Sequence, residues 1–403
     1  MLELARAAAR HGHLNRMYTT LHTANLQAAA ARIPQPALRE ALQAQLARRS
    51  FSGVPLGMVQ PVAQIPQAMH VLSMRLPRAQ TLASWLLYDS KKRFDRAVSR
   101  RLAAHSFDAL IALNFSAAAT FQRMVVTGGF RILDFIDSHP RYQNRYLREL
   151  CGLEDPHREL VSPEVIGRLE NELELADLIL TPSRFVARQL EAVGVPPDKL
   201  AIEPFGVDVS AFRPDSSHPG QPPPRAPRGL FVGQISYRKG LGVLLEAARI
   251  LRNQRVELHL VGPLISPEVL HRMPDRVRYR GARLSEGVAQ AMREADFFLL
   301  PSIEDAFGLV TLEAMASGLP PIVSDHVGAS ELISSGKDGL ITRAGDATAL
   351  ADAIATLAED AELRVNMGVA ARTRVERGCS WVEYGDRVIS LVEKQMRSNA
   401  NTR

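Results

Sequence analysis

Cysteine is nearly absent: Cys151 and Cys379 are the whole complement, and neither sits in a C-x-x-C pair or beside a histidine cluster. Two such residues build neither a disulfide framework nor a zinc site, and they fit a reducing compartment. No run of about 18 uncharged apolar residues occurs, which argues against a membrane span. The opening MLELARAAARHGH lacks the apolar core and cleavage site of a signal peptide, so the sequence predicts a cytoplasmic protein. Aromatic residues are 6% of the chain, and there is no helix-turn-helix, zinc-finger or RNA-platform signature, so nucleic acid is not an expected partner despite a pI of about 9.5. No G-x-G-x-x-G with an acid about 20 residues on is present, which removes a dinucleotide-dependent dehydrogenase.

What is present is an ordinary globular balance, 46% hydrophobic and 23% charged over 403 residues. That length suits two domains of about 150–200 residues each. Short apolar runs alternate with helical patterns. The strand-like runs include Leu14–Leu21, Asp108–Leu113, Arg131–Ile136, Asp177–Leu180, Leu200–Pro204, Arg228–Val232, Val256–Val261, Val277–Tyr279, Phe297–Leu300 and Pro321–Ser324. Their continuous apolar character predicts parallel strands covered on both faces, hence an α/β protein of two doubly wound sheets. The segment Pro214–Arg228 has six prolines in fifteen residues and reads as a linker. The predicted divisions are residues 1–213, the linker 214–228, residues 229–379, and a last helix over 380–397.

Two stretches after the linker carry chemistry. RGLFVGQISYRKGLGVLLEAARIL reads as strand, glycine-bearing loop and helix, with Gly233 ending the strand and Gly240 opening the helix. Free N–H groups and the positive dipole end there suit a phosphate, and Arg238 and Lys239 add full charge. In ADFFLLPSIEDAFGLVTLEAMASGLPPIVSDHVGASELI, a buried strand is followed by Asp305, Phe307-Gly308 and a helix carrying Glu313. This places two carboxylates and free N–H groups at the C-terminal ends of parallel strands, where open sheets bind ligands. Spacing alone leaves the blander roles open: Asp305 as a helix cap, Glu313 as a solvated acid.

From about Gly229 to Tyr384 the chain resembles the C-terminal half of the retaining GT-B glycosyltransferases of family four. The E-x7-E motif of that family appears as Asp305-Ala-Phe-Gly-Leu-Val-Thr-Leu-Glu313-Ala-Met-Ala, and Gly-Leu-Pro, Gly328 and GKDGLITRAGDATAL follow in the family's order. The stretch ENELELADLILTPSRFVARQLEAVGVPPDKLAIEPFGVDVSAFRP resembles the segment closing the family's acceptor domain. The resemblance implies two Rossmann-like domains facing across a cleft, and transfer of a sugar from a nucleotide-diphosphate sugar to a glycan, lipid-linked or small-molecule acceptor. It implies that Lys239 neutralises the diphosphate and that Asp305 contacts the transferred sugar. Phe307, Gly308 and Leu309 would hold oxygens through their backbone, Glu313 the ribose, and Gly262, Arg283 and Leu284 would border the base. His139 in FIDSHP falls where the family keeps a histidine near donor sugar and acceptor. Two departures stand out: Gln234 replaces the family's arginine, leaving Arg238 to substitute, and Asp305 replaces a glutamate, with Glu304 beside it. These departures keep open a catalytically impaired, nucleotide-sugar-binding partner subunit. No Asp-x-Asp motif stands where a diphosphate would need one, so no essential metal or other cofactor is expected.

Two expectations concern the first half. Between Leu38 and Ala104 stand eleven Lys/Arg against three acids, including Arg39, Arg48, Arg49, Arg75, Arg78, Lys91, Lys92, Arg93, Arg96, Arg100 and Arg101. Interleaved with apolar residues such as Met58, Val71, Met74 and Trp85, they suit a peripheral membrane surface or a basic face on a soluble domain. Second, the resembling family places a strand and a Gly-Gly loop before its helix–Gly-His–strand opening. This chain opens directly on that helix, and the reading predicts a vacant sheet position beside Leu14–Leu21 and weak transfer.

Overall fold

The computed structural model describes residues 1–20, 53–63, 80–102, 107–150, 159–214, 225–265, 271 and 273–400. The expectations for Arg39, Arg48, Arg49, Val71, Met74, Arg75, Arg78, Cys151 and most of the proline-rich linker lie outside these residues, as do the side chains at 80–85. The chain forms two compact units, one of Met1–Asp134, Pro163–Ile179 and Gly385–Arg403, the other of Phe135–Ser162 and Leu180–Tyr384.

In the first unit, α1 (Leu2–Arg10) buries Leu4, Ala5 and Ala7. The predicted strand Leu14–Leu21 is shorter, β1 (Met17–Thr19), because the N–H groups of His13 and Leu14 turn back onto the carbonyl of Ala8. β1 pairs in parallel with β2 (Val59–Pro61), a strand the sequence hid behind glutamine and proline. Next come α2 (Gln80–Leu102), β3 (Ala109–Leu113), α3 (Ala118–Thr127) and β4 (Phe130–Asp134), with β3 and β4 parallel. Val98 and Leu102 of α2 pack with Met124 of α3 and Val62.

The start of α3 is held by two buried carboxylates. Glu172, 0% exposed on α5 (Pro163–Leu175), accepts from the backbone N–H of Phe115 (2.6 Å), Ala117 (2.9 Å) and Ala118 (3.2 Å). Asp95 of α2 accepts from Ala119 (2.8 Å) and Thr120 (2.9 Å), and from the Arg168 guanidinium at 2.7 Å. A helix start has four orphan N–H groups, and these carboxylates take them up. Burial nonetheless pushes Glu172 up to about 7, against the pull of those N–H groups and Arg168.

The second unit contains α4 (Pro140–Leu150), and β5 (Leu178–Thr181) is divided between the units at Ile179. After it come α6 (Arg184–Glu191) and β6 (Leu200–Ile202). The order then runs β7 (Arg228–Val232), α7 (Leu241–Ile250), β8 (Glu257–Val261), β9 (Val277–Tyr279), α8 (Ser285–Arg293), β10 (Phe297–Leu300), α9 (Leu309–Ala316), β11 (Pro321–Ser324), β12 (Leu340–Thr342), α10 (Ala347–Glu359) and α11 (Ala361–Val375). The six strands β7–β12 form one parallel sheet in the order β12-β11-β10-β7-β8-β9. Leu299 lies beside Phe231, and Leu230 beside His259. Phe231, Phe297, Phe298, Leu299 and Ile322 are fully buried, as strands covered on both faces require. The order reverses between β7 and β10, and in such sheets the crevice outside the strand ends at that reversal is the ligand site.

The last helix, α12 (Trp381–Ala400), begins in the second unit and belongs to the first from Gly385 onward. Its start is a capping box: Ser380 Oγ accepts from the Glu383 N–H at 3.2 Å, while Glu383 accepts from the Ser380 N–H at 2.9 Å. In the second unit Phe205 meets Phe307, Trp381 and Tyr384 ring to ring. In the first, Gly385 lies so close to Ala7 that a Cβ would come within 2.6 Å of it.

Candidate active site

The loops leaving β7 and β10 meet at the strand-order reversal. Gly240 is what lets them meet. It stands at φ +77° just before α7, and a Cβ there would lie 1.8 Å from the carbonyl oxygen of Pro301, where β10 ends. Any side chain would both strain the backbone and push the loops apart. The Ile303 N–H donates to the Arg238 carbonyl at 2.9 Å, fixing the same approach.

Lys239 and Asp305 are thereby brought together, with Lys239 Nζ hydrogen-bonded to Asp305 Oδ2. Beside them Arg238 Nη1 lies 3.4 Å from Glu304 Oε2. Glu304 is 1% exposed and committed to Arg238, whereas Asp305 is the partly open acid of the two. Burial alone would raise Asp305, but Lys239 and Arg238 outweigh it and hold the carboxyl below its usual range. Lys239 is pushed below its ordinary value by burial and by Arg238, more than Asp305 and Glu304 restore. Arg238 keeps its charge: burial acts against it, and Glu304, Asp305, Glu159 and Asp137 outweigh burial.

The loop after Asp305 is equally constrained. The Asp305 N–H donates to the His326 carbonyl at 3.0 Å and the Gly328 N–H to the Asp305 carbonyl at 3.0 Å. Gly308 sits at φ +75° immediately before α9, where a Cβ would come within 2.6 Å of Val327 Cγ1 and 2.9 Å of Leu300 Cδ2. The Phe307 N–H donates to Asp305, and Leu309 opens the helix. One turn on, Glu313 is half-buried, and its carboxylate has no hydrogen bond or ion pair among the described residues. Burial pushes it up to about 7.

Gly233 ends β7 with its N–H donating to the Val261 carbonyl at 3.0 Å, and Gly262 packs directly on its backbone. Gln234 is exposed, and its Oε1 lies 3.5 Å from Arg238 Nη2. Arg283 and Leu284 are exposed before α8; Arg283 helps line a cavity of about 190 Å³ with Arg228, His259 and Arg280. No hydrogen bond or ion pair joins Arg283 or Leu284 to the Lys239–Asp305 pair among the described residues. His139 is fully buried at the start of α4; its N–H donates to Gln189 Oε1 at 2.9 Å, and its Nδ1 accepts from the Arg141 N–H at 3.3 Å.

One residue went unseen in the sequence. Glu159 reaches the loop before α7, its Oε1 accepting from the Tyr237 N–H at 3.1 Å and its Oε2 from the Arg238 N–H at 3.0 Å. No motif marks it, because the contact spans 78 positions of chain.

Residues 226–360 match the family described as glycosyl transferases group 1. The amylovoran biosynthesis glycosyltransferase AmsK of Erwinia amylovora is 34% identical over 217 residues, 50% of this chain and 52% of that protein. The putative colanic acid biosynthesis glycosyltransferase WcaL of Salmonella typhimurium is 29% identical over 258 residues, 60% of this chain and 62% of that one. The chain thus spans between about half and three-fifths of the length of these curated relatives. Among solved structures, Anabaena HepE in complex with UDP and glucose superposes with a TM-score of 0.64 at 16% identity, covering 98% of this chain and 95% of that one. At that identity the likeness is one of fold. Residues 226–360 carry a glycosyl transferases group 1 domain, and the fold is that of the GT-B glycosyltransferases.

Proposed function

We propose that the chain is a retaining glycosyltransferase that moves a sugar from a nucleotide-diphosphate sugar to a glycan or lipid-linked acceptor. The observation that carries this is the Lys239–Asp305 pair at the strand-order reversal, with Glu313, unpartnered among the described residues, on the helix that follows. In this reading Lys239, Arg238 and the N–H groups of Phe307, Gly308 and Leu309 stabilise charge on the departing nucleoside diphosphate, with no essential metal. Asp305 accepts from hydroxyls of the transferred sugar, Glu313 from the ribose, Gly262, Arg283 and Leu284 border the base, and His139 stands near the transferred sugar. The bond from the anomeric carbon to the diphosphate oxygen breaks with its electron pair leaving on the diphosphate, the acceptor hydroxyl oxygen bonds that carbon with its configuration kept, and the hydroxyl proton passes to the departing diphosphate.

The names of AmsK and WcaL point to polysaccharide biosynthesis, and the ligands of HepE make UDP-glucose the first donor to test. A peripheral membrane contact fits the exposed Arg93, Arg96, Arg100 and Arg101 of α2 together with Val125 (51% exposed) and Val126 (81% exposed) of the adjoining α3. No helix among the described residues is long and apolar enough to cross a membrane.

The test is a panel of nucleotide-sugars scored by thermal shift, then by sugar transfer and retention of anomeric configuration. A true donor at 100 times its Kd adds about 2.7 kcal/mol of stability. Lys239→Ala should abolish that shift. A panel with no shift and no transfer would overturn the reading.

A further inference from the structure

The loop that opens α7 already holds an anion. The two oxygens of Glu159 each take one backbone N–H, from Tyr237 at 3.1 Å and Arg238 at 3.0 Å. Successive N–H groups at a helix start form the concavity that proteins use for phosphate, and a carboxylate offers the same pair of acceptors. Glu159 is presented from α4: its carbonyl accepts from Gln143 Nε2 at 3.2 Å, and Val161 and Asn144 exchange two bonds of 2.9 Å.

The charge balance at this loop is the second observation. Arg238 and Lys239 are the cations, and Arg238 faces four carboxylates, those of Glu304, Asp305, Glu159 and Asp137. A diphosphate added to that set meets an excess of negative charge. Glu304 is buried on Arg238 and Asp305 is bonded to Lys239. Glu159 grips the loop through two backbone N–H groups, which a phosphate oxygen can take over directly.

We propose that Glu159 is an internal competitor for the donor: its carboxylate occupies the Tyr237 and Arg238 N–H groups in the donor-free protein, and a donor phosphate displaces it on binding. This rests on the glycosyltransferase reading above. Its consequence is an apparent donor affinity lowered by the fraction of molecules in which Glu159 is seated. The opposing role is a fixed loop staple, as Glu331 serves for α6 by accepting from the N–H groups of Arg184 (2.9 Å) and Phe185 (2.6 Å). The two roles differ in sign: removing a competitor tightens phosphate binding, and removing a staple loosens it.

The experiment measures Kd for UDP, for inorganic pyrophosphate and for uridine by calorimetry, with wild type, Glu159→Gln and Glu159→Ala at one ionic strength. A competitor seated nine-tenths of the time predicts about tenfold tighter UDP and pyrophosphate binding in the variants, with uridine unchanged. UDP binding that both folded variants weaken or leave unchanged overturns this proposal alone. Absence of UDP and pyrophosphate binding from wild type and variants alike, together with a silent donor panel, overturns the glycosyltransferase reading and this proposal with it. Should both variants fail to fold, amide NMR of the wild type decides. Tyr237 and Arg238 shifting on saturation with UDP supports displacement, and their remaining unmoved rejects it.

Discussion

Glu313 and Asp305 are both carboxylates near the strand-order reversal, yet their surroundings shift them in opposite directions. Asp305 is held ionised by Lys239 and Arg238 against burial. Glu313, without a partner among the described residues, is pushed up to about 7 by burial. Its ionised form is the better acceptor for ribose hydroxyls, so donor affinity should rise as pH increases from 6 to 8. Glu313→Gln should flatten that rise and weaken binding with kcat little changed. A wild-type affinity flat with pH, measured by calorimetry, would refute the role. Asp305→Asn should instead lower kcat, because contacts on the reacting sugar strengthen in the transition state whereas ribose contacts do not. Loss of one such stabilising group typically costs about 100-fold in kcat.

Two helix starts give tests at the scale of the element. At α3, Glu172 is raised above its unfolded value by burial, so the native chain holds a proton that the unfolded chain releases. Its contribution is therefore most favourable below pH 4.5 and is lost as pH rises through about 7, a total on the order of 3 kcal/mol. Urea unfolding of Glu172→Gln should show that slope reduced between pH 5 and 8 relative to wild type; equal slopes would disprove it. At α9, Gly308→Ala puts a Cβ 2.6 Å from Val327 at positive φ. The left-handed conformation alone costs about 1–2 kcal/mol for a non-glycine residue. A lower Tm and reduced donor binding together are expected, and an unchanged Tm would show the loop to be more yielding than drawn.

For the whole molecule, α12, like β5, has residues in both units. Within the first unit, Gly385 abuts Ala7, Asp386 pairs with Arg10 at 2.8 Å, and Glu393 with His13 at 2.6 Å. Truncation before Ser380 should therefore speed hydrogen exchange in Leu2–Arg10, and unchanged protection there would count against this. The basic face of α2 makes a separate claim. Sedimentation with anionic vesicles should occur at low salt and weaken at physiological salt, since surface charge is screened over about 8 Å. Binding at neither salt would reject the membrane contact.

The sequence by itself determined the parallel β7–β11 framework and the loops that carry Arg238, Lys239 and Asp305. Runs such as FFLL are buried on both faces, and that burial forces their composition. Gly240 and Gly308 likewise announce the turns they make, because each obeys a rule of local geometry. β2 and β12 escaped notice because three residues flanked by proline or glycine carry no period. Only tertiary structure decided that Lys239 lies on Asp305, that Glu304 is spent on Arg238, and that Glu159 fills the loop 78 positions away. Those pairings depend on where β7, β10 and α4 come to rest, and a chain's local pattern holds no record of charges that meet across such a distance.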